Sequence, residues 1–509
     1  MKNCRLFITV LTFIWLSAYP FKELCAENQL VKQWAVFEVE MKASIEGNPF
    51  DVELFGTFQH EDTTFRCRGF YDGNNSFKVR FMPSLSGEWK FKIESANKNL
   101  NKRTGQFTCV PNSKKQHGIV QVRDTFHFGY SDGTPFFPIG TTSYVWNLQG
   151  DSLAQLTLNT LGTSPFNKIR MCVFPKDYDW NKNEPETYPF QGNPPNQWDF
   201  SKFNPAYFQT LEKRILQLHK LGIQADLILF HPYDFDERWG FHEMETSTDI
   251  RYLKYIVARL SAYSNVWWSM ANEYDLMKAK TDSIWDEYFQ VIQKEDPYHH
   301  LLSIHNGPKW YDHSKPWISH LSIQHQNLKE VVDFRDKYQK PIIIDECGYE
   351  GDIPWVWGNL TAQELVHRFW LGYSRGCYVT HGETYLDSLD ILWWSKGGKL
   401  HGESVKRIEF LKEIIENGPS EGINPPTNGY WHKRGGSFKE PDYYLYYLGN
   451  TQPAYLVLEL PDKFTYSAEI IDTWEMTTTK LKGTYTGKCK VVLPGKDRLT
   501  LIMRRVKQN

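Results

Sequence analysis

The length, composition and charge of this sequence exclude several classes of protein. Its 509 residues are 41% hydrophobic and 23% charged, so the chain is too long for one small module and too apolar to be disordered. The 58 basic and 60 acidic side chains give a net charge of -2, which leaves no positive surplus for a nucleic-acid partner. Trp, Tyr and Phe make up 16% of the residues, and such rings suit neutral, hydroxyl-rich ligands such as sugars.

Residues 1–26 have the layout of a secretory signal peptide. Lys2 and Arg5 precede the uncharged run 6–20, which is too short to span a membrane comfortably. We therefore expect a secreted or periplasmic protein, with the cell surface as a further location. A lipid anchor on Cys25 is the less favoured alternative, because Leu24 is not the small residue that a lipoprotein signal places there. No other membrane association is expected, since no second long apolar run follows.

The remaining cysteines show no close CxxC spacing, which argues against a zinc site or a dense disulfide framework. Cys67 and Cys109 either form a bridge within one small domain or remain free buried thiols, and the sequence leaves both open. We predict no metal and no cofactor.

Residues 27–115 show the alternation of half-buried β-strands. In residues 77–81 and 89–93 each apolar residue is separated from the next by one basic residue, and turn-forming clusters lie between such stretches. Short strands at this spacing predict an immunoglobulin-like β-sandwich. The polar residues 111–117 are the predicted linker to the next domain.

Residues 116–420 alternate short apolar runs with segments of helical periodicity. Phe208, Leu211, Ile215 and Leu218, for example, recur at steps of three or four residues. The apolar runs that we interpret as strands are 136–139, 168–173, 225–230, 266–270, 301–304, 320–323, 341–344 and 376–379. Eight strands alternating with helices predict an α/β fold of the (β/α)8 TIM-barrel type, whose chemistry lies at the carboxyl ends of the strands.

Strand-like runs return in residues 421–509, after a loop rich in Pro and Gly. They lie at 443–448, 454–458 and 499–503 and predict a small C-terminal β-sandwich domain. The predicted architecture is therefore a TIM barrel flanked by an N-terminal β-sandwich and a C-terminal β-domain.

Two carboxyl groups stand out among the polar residues at the predicted strand ends. Glu273 follows the fourth strand and Glu346 follows the seventh, so both point to the same end of a barrel. Cleavage of an acetal between two sugars needs one carboxyl group to protonate the leaving oxygen and a second to attack or to activate water. Arg170, in the second strand, and Asn272 are expected beside this pair.

Other strand ends supply further candidate substrate-binding residues. Each of the histidines fits ligand contact and ordinary packing about equally well. The candidates are His231, His305, His325, His381, Glu383, Tyr144, Trp146 and Trp394. Further candidate stacking surfaces are Tyr178, Trp180, Tyr233 and Trp393.

Three strand ends resemble a known family. Residues 166–170 (FNKIR), 270–273 (MANE) and 342–346 (IIIDE) are similar to the second, fourth and seventh strand ends of the retaining clan A glycoside hydrolases. With its flanking domains, the chain also resembles cellulase-like proteins of gut and soil bacteria. The pattern departs from the clan where Gln324-His325 and residues 381–383 (HGE) stand in place of the frequent Tyr and Trp.

The resemblance implies a role for each central residue. Glu273 would be the acid/base and Glu346 the nucleophile, Asn272 would hold the 2-hydroxyl or the glycosyl-enzyme intermediate, and Arg170 would keep Glu346 ionised. A retaining enzyme of this kind holds its two carboxyl groups about 5 to 5.5 Å apart, against roughly 6.5 to 9.5 Å for an inverting one, and we predict the shorter distance. The predicted function is thus a secreted retaining glycoside hydrolase that cleaves a poly- or oligosaccharide.

Two alternatives come from other classes. A metal-dependent barrel hydrolase is suggested by His231, His305, His325 and His381, although residues 140–143 (GTTS) lack the HxH pair that such enzymes usually carry after the first strand. A non-catalytic glycan-binding protein could have kept the barrel, but the presence of both carboxylates argues against it. The sequence does not determine the identity of the sugar, the linkage that is cleaved, endo or exo action, or the oligomeric state.

Overall fold

The computed structural model describes residues 29–112, 116–180, 185–234, 238–389 and 391–507. The predicted signal peptide and Cys25 lie outside these residues. Across the described ranges, none of the helices combines the length and the apolar character needed to cross a membrane.

The N-terminal domain consists of two facing antiparallel-rich sheets. Its strands are β1 (Gln29–Lys32), β2 (Phe37–Lys42), β3 (Leu54–His60), β4 (Thr63–Arg68), β5 (Phe70–Tyr71), β6 (Ser76–Phe81), β7 (Gly87–Ser95) and β8 (Arg103–Val110). The sheet orders are β1-β8-β7-β3-β4 and β2-β6-β5. In β7 Trp89, Phe91 and Ile93 are buried while Lys90 and Lys92 are exposed, as the alternation predicts. Strands β4 and β8, which carry Cys67 and Cys109, are separated by two others, and both thiols are free.

A small antiparallel sheet closes the amino-terminal end of the barrel. It contains β9 (Val120–Arg123), β10 (His127–Tyr130) and β11 (Pro135–Phe136), and Phe128 and Phe136 pack on Trp267 at the base of the barrel. The predicted first barrel strand at 136–139 is therefore wrong: Phe136 belongs to β11. Pro138 has no N–H for a ladder, and the Ile139 N–H donates to the Asn167 side chain at 2.8 Å.

The barrel itself confirms the predicted fold. The strands of this domain are β12 (Gly140–Thr142), β13 (Lys168–Cys172), β14 (Phe190–Asn193), β15 (Gln197–Phe203), β16 (Gln224–Phe230), β17 (Val266–Ala271), β18 (Leu302–Ser303), β19 (Leu321–Gln324), β20 (Ile342–Glu346), β21 (Glu350–Gly351), β22 (Tyr378–His381) and β23 (Glu383–Thr384). Eight of them form one sheet in the order β18-β17-β16-β13-β12-β22-β20-β19, with parallel neighbours. Between β18 and β19 the closure uses side chains, since the Gln324 N–H donates to Asn306 Oδ1 at 3.1 Å.

Helices cover the outside of the barrel. They are α1 (Asp151–Leu161), α2 (Pro205–Lys220), α3 (Thr246–Leu260), α4 (Asp282–Glu295), α5 (Val331–Tyr338), α6 (Ala362–Tyr373), α7 (Trp393–Lys396) and α8 (Ser404–Glu416). The predicted apolar face of α2 is buried against the strands. The Thr361 hydroxyl caps α6 by accepting from the Glu364 N–H at 3.2 Å.

The C-terminal domain packs one sheet against the barrel. Its strands are β24 (Gly436–Lys439), β25 (Tyr443–Tyr447), β26 (Tyr455–Glu459), β27 (Tyr466–Asp472), β28 (Thr477–Lys480), β29 (Lys488–Val492) and β30 (Leu499–Arg505). The orders are β24-β25-β30-β27-β28 and β26-β29. All of β25 is buried because Tyr443 and Tyr447 face the barrel core while Tyr444 and Tyr446 face the core of their own domain.

Candidate active site

Glu273 lies two residues after the end of β17, at a sharp turn of the backbone. Its φ of 45° and ψ of 52° lie in the left-handed region, which is uncommon for a residue with a side chain. The turn is held by the Tyr274 N–H, which donates to the His305 carbonyl at 3.1 Å. Strained conformations of this kind persist where the surrounding structure fixes them, and they concentrate at functional sites.

Glu346 is the last residue of β20, and its buried carboxylate meets three neighbours. The Tyr144 hydroxyl donates a short hydrogen bond to Oε1. Arg170 donates to the same oxygen at 3.4 Å, and His305 Nε2 lies 3.8 Å from it. Two donors, one of them a cation, therefore point at this carboxylate oxygen.

Arg170 connects Glu346 to a charged layer inside the barrel. Its second terminal nitrogen donates to Asn272 Oδ1 at 2.9 Å. The Arg170 guanidinium therefore contacts both Glu346 and the residue before Glu273. Below it, Lys168 Nζ bridges Asp226 and Asp345 at 2.8 Å each. Because these charges are almost fully buried, their pairing is needed to offset the cost of desolvation.

Glu273 and Glu346 line one cavity of about 240 Å³ at the carboxyl ends of the strands. The two glutamates come from strands that are far apart in the sequence, and the barrel brings them together as predicted from their strand-end positions. Aromatic side chains provide much of the wall. The other lining residues are Tyr144, Lys176, Tyr178, Tyr233, Gln324, Tyr349, Ile353, Trp355, Trp357, Gly358, Thr384 and Trp394.

Lys176 is the lining residue that sequence reasoning missed most clearly. Its ammonium lies 3.4 Å from the centroid of the Tyr144 ring, 4.2 Å from that of Tyr233 and 5.0 Å from that of Trp394. The loop that carries it is pinned by the Asp177 N–H, which donates to the Tyr233 carbonyl at 3.1 Å. Nothing in the local pattern marks this lysine, because its partners come from three separate loops.

The environments of the cavity change the pKa values of two groups. Burial and the neighbouring Glu346 raise the pKa of Glu273 to about 8, against the opposing effect of Lys176. Burial lowers the pKa of Lys176 to about 8, although both glutamates favour its charged form. Glu273 is therefore protonated at neutral pH, which is the state a general acid needs.

The aromatic predictions are resolved residue by residue. Tyr144, Tyr178, Tyr233 and Trp394 line the cavity, and Trp180 instead packs edge-on against Trp355. Trp146 is fully buried in the barrel core, which leaves no ring face for a sugar, so that prediction is corrected. Tyr349, Trp355 and Trp357 were missed because they lie on the long segment after β20, where no strand pattern places them.

The predicted histidines do not line this cavity. His231 accepts the Tyr233 N–H at 3.2 Å and so holds the loop of that ring, while burial lowers its own pKa to about 3. His305 lies buried against Glu346, and His325 pairs with Glu330 at 2.9 Å on a half-exposed surface. Direct contact of these three side chains with substrate stays a prediction.

His381 and Glu383 belong to a separate cluster with Glu350. One ligand atom from each lies within 4.8 Å of the others, and this is the one metal-capable group found in the described part of the chain. Both carboxylates, however, accept backbone N–H groups before α8: Glu383 from Gly402 at 2.8 Å, and Glu350 from Glu403 at 2.8 Å. The predicted substrate contacts of His381 and Glu383 are therefore not made at this cavity. Within the described residues, the strand-end histidines form no metal-capable group with Glu273 and Glu346.

Comparisons with known proteins agree with this geometry. A family model described as the apiosidase-like catalytic domain matches residues 123–419. Two domains of unknown function flank it: DUF5060 matches residues 30–96 and DUF5605 matches residues 431–504. No curated protein matches the chain significantly.

Solved structures show similarity over most of the chain. The crystal structure of a proposed glycoside hydrolase from Bacteroides vulgatus is 39% identical, with a TM-score of 0.89, and the alignment covers 94% of this chain and 100% of the other. A glycoside hydrolase of family 5 from the same organism is 15% identical, covers 76% of this chain and 94% of its own, and has a TM-score of 0.58, which shows a shared fold. The fold expected from the resemblance is thereby confirmed. The chain belongs to the apiosidase-like family of glycoside hydrolases.

Proposed function

We propose that this protein is a retaining glycoside hydrolase with Glu346 as nucleophile and Glu273 as general acid and base. The observation that carries the proposal is the contrast between two carboxyl groups in one cavity. Glu346 accepts from Tyr144 and Arg170, whereas no residue in the described ranges donates a hydrogen bond to the Glu273 carboxyl. One environment favours an anion and the other favours a neutral acid.

The reaction has two displacement steps. In the first, a Glu346 oxygen attacks the anomeric carbon, the bond to the leaving oxygen breaks, and Glu273 gives that oxygen its proton. In the second, ionised Glu273 takes a proton from water, the water oxygen attacks the anomeric carbon, and the ester to Glu346 breaks. The products are two hydroxyl-bearing sugars, the anomeric configuration is retained, and both carboxyl groups return to their starting states.

Asn272 and Arg170 support this chemistry. The Asn272 side-chain oxygen is occupied by Arg170, and its buried amide nitrogen has no partner among the described residues. Asn272 is not among the residues that line the cavity, and its assignment to the sugar 2-hydroxyl rests on the resemblance of residues 270–273. Arg170 also favours the carboxylate form of Glu346, which must be ionised to attack.

The proposal extends to the substrate and its location. The rings of Tyr178, Tyr233, Trp355 and Trp394 around the glutamates suit a sugar that stacks its C–H faces, so the substrate is an oligo- or polysaccharide. The signal-like residues 1–26 support a location outside the cytoplasm, in the periplasm or beyond. We further propose that residues 27–115, 116–420 and 421–509 are its three domains.

Hydrolysis of a glycan panel tests the function. Wild-type protein is incubated with plant, algal and host oligosaccharides, and the first-formed anomer is identified by NMR. We expect a product of the same anomeric configuration as the substrate. First formation of the opposite anomer, which corresponds to a carboxyl separation of roughly 6.5 to 9.5 Å, would overturn the covalent mechanism.

Chemical rescue separates the two roles. Azide should restore turnover of a dinitrophenyl glycoside in both E346G and E273A. The glycosyl azide should have inverted configuration with E346G and retained configuration with E273A, because only the latter still forms the ester. Glu287, exposed on α4, offers a matched control, and E287Q should keep full activity. Equal turnover of E287Q and E346Q would contradict the assignment of Glu346 as the nucleophile.

A further inference from the structure

Lys176 presents a buried ammonium group to the active-site cavity. The residue is 2% exposed, lines the same cavity as both glutamates, and packs against the rings of Tyr144, Tyr233 and Trp394. No oxygen of a described residue accepts a hydrogen bond from its Nζ. Lys168, by comparison, donates to two carboxylates at 2.8 Å.

The Lys176 ammonium is held by a cage of aromatic rings and opens onto the cavity. It carries three N–H donors, and aromatic faces attract the positive charge without providing a lone pair. Its Nζ is not among the fully buried polar atoms that lack a partner, so its donors are accessible from the cavity that both glutamates line. Because the rings fix the ammonium on the cavity wall, these donors are positioned to meet a molecule bound there.

We propose that Lys176 is a specificity-determining residue that donates a hydrogen bond to a hydroxyl oxygen of a neutral sugar bound between Glu273 and Glu346. This inference rests on the proposed function. The cage fixes the ammonium position through three rings, so the bond is pre-organised and selects sugars that carry an oxygen at that point.

The charges around the cavity argue for a neutral sugar. Lys168 and Arg170 are balanced by Asp226 and Asp345 in the layer below. Within the cavity, ionised Glu346 is balanced by Lys176 while Glu273 is protonated. A uronic acid would add a buried negative charge with no remaining cation to offset it.

Lys176 also acts on Glu273 through space. The charged groups around the Glu273 carboxyl are Glu346 and Asp275, which favour its protonated form, and Lys176 and Arg170, which favour its ionised form. Removing the ammonium therefore makes Glu273 a weaker acid. The basic limb of the activity profile should then move to higher pH.

Two variants at this position test the inference, with the best oligosaccharide of the glycan panel as the probe. K176M removes charge and donors, and we expect kcat/KM at pH 7 to fall about 30- to 100-fold, while the basic limb of its pH profile moves up by about one unit. K176Q keeps an N–H donor without charge, so it should recover part of kcat/KM but show the same displaced limb.

The matched control is K315M. Lys315 also lies over two rings, 4.9 Å from Tyr311 and 5.5 Å from Trp317, but it pairs with Asp286 outside the cavity. We expect K315M to lower the melting temperature and to leave both KM and the pH limb unchanged. A purely structural role of Lys176 would give K176M this same result and would overturn the inference.

The outcomes distinguish this inference from the proposed function. If wild-type protein cleaves no glycan, the proposed function fails and so does its extension. If the wild type cleaves a neutral glycan and K176M keeps its KM and its pH limb, only the role of Lys176 fails. Preferred cleavage of a uronide that K176M abolishes would overturn the assignment of a neutral sugar.

Discussion

Two pairs of glutamates lie in this barrel, and of these two only one pair lines the cavity. Glu273 and Glu346 line it, while Glu350 and Glu383 lie side by side in the β21–β23 ladder behind it. The second pair accepts four backbone N–H groups of residues 401–404, at the start of α8. Partial positive charge at a helix start stabilises carboxylates in such positions.

The comparison shows that a raised pKa does not identify a catalytic acid. Burial raises the pKa of Glu383 to about 7 even though His401 and Gly402 donate to it, and burial raises that of Glu273 to about 8. What separates the pairs is the use of their oxygens. Glu350 and Glu383 are saturated by the backbone, whereas the Glu273 carboxyl has no donor among the described residues. An unsaturated acid beside a cavity is free to act on a ligand.

The largest expected effect separates the pairs by activity. E346Q should lower kcat by about 10⁴-fold and E273Q by about 10²- to 10⁴-fold on a substrate with a poor leaving group, because each removes a group that takes part in bond making or proton transfer. E350Q and E383Q that fold should keep wild-type kcat within about threefold. Assays of the four purified variants measure this. A kcat loss in folded E383Q as large as in E346Q would erase the distinction.

The second effect concerns the free energy of unfolding, which should change with opposite signs in the two pairs. In E350Q or E383Q an amide NH2 replaces one acceptor and faces a backbone N–H, so the free energy of unfolding should fall by about 1 to 3 kcal/mol.

The folded-state pKa of Glu273 lies above its unfolded value, so its burial lowers stability increasingly as pH rises from the unfolded pKa to about 8. E273Q removes this penalty and should raise stability at pH 7 by about 1 to 2 kcal/mol. Urea titrations of the three variants would show the two signs, and a destabilised E273Q would contradict this reasoning.

A smaller effect is expected at Tyr144, whose hydroxyl donates to the proposed nucleophile Glu346. Y144F keeps the ring against Lys176 but removes one donor to Glu346. We expect kcat to fall about 10-fold, with a smaller change in KM, because the hydroxyl orients and stabilises the carboxylate. Steady-state kinetics would measure both constants. Y233F is the matched ring control and should change kcat less.

The smallest effect is the pH dependence of the wild type. Glu273 acts as an acid only when protonated, so kcat/KM should decline as pH rises through about 8. Between pH 7 and pH 8.5 the loss should be about fourfold. Glu383 titrates near pH 7 in the other pair, and its ionisation should leave the rate unchanged. A basic limb centred near pH 7 would instead indicate that ionisation of Glu383 lowers the rate, which would contradict this assignment.

The local patterns explain why the two glutamates that line the cavity could be singled out without coordinates. An apolar strand followed by a carboxylate is a one-dimensional signal, and both Glu273 and Glu346 carry it. Glu383 carries the same signal after β22, yet its oxygens are taken by the amides of residues 401 and 402. Sequence reasoning could not separate these cases, because hydrogen bonds from a distant loop have no local signature.

The sequence by itself determined the barrel with its two β-domains and the strand ends that carry Glu273, Glu346 and Arg170, because alternation and helical periodicity are properties of neighbouring residues. The tertiary structure decided the rest. It moved the first barrel strand to β12, buried Trp146, turned Glu350 and Glu383 towards backbone amides, and enclosed Lys176 in rings from separate loops. Each of these outcomes depends on contacts between residues far apart in the chain, which no local pattern records.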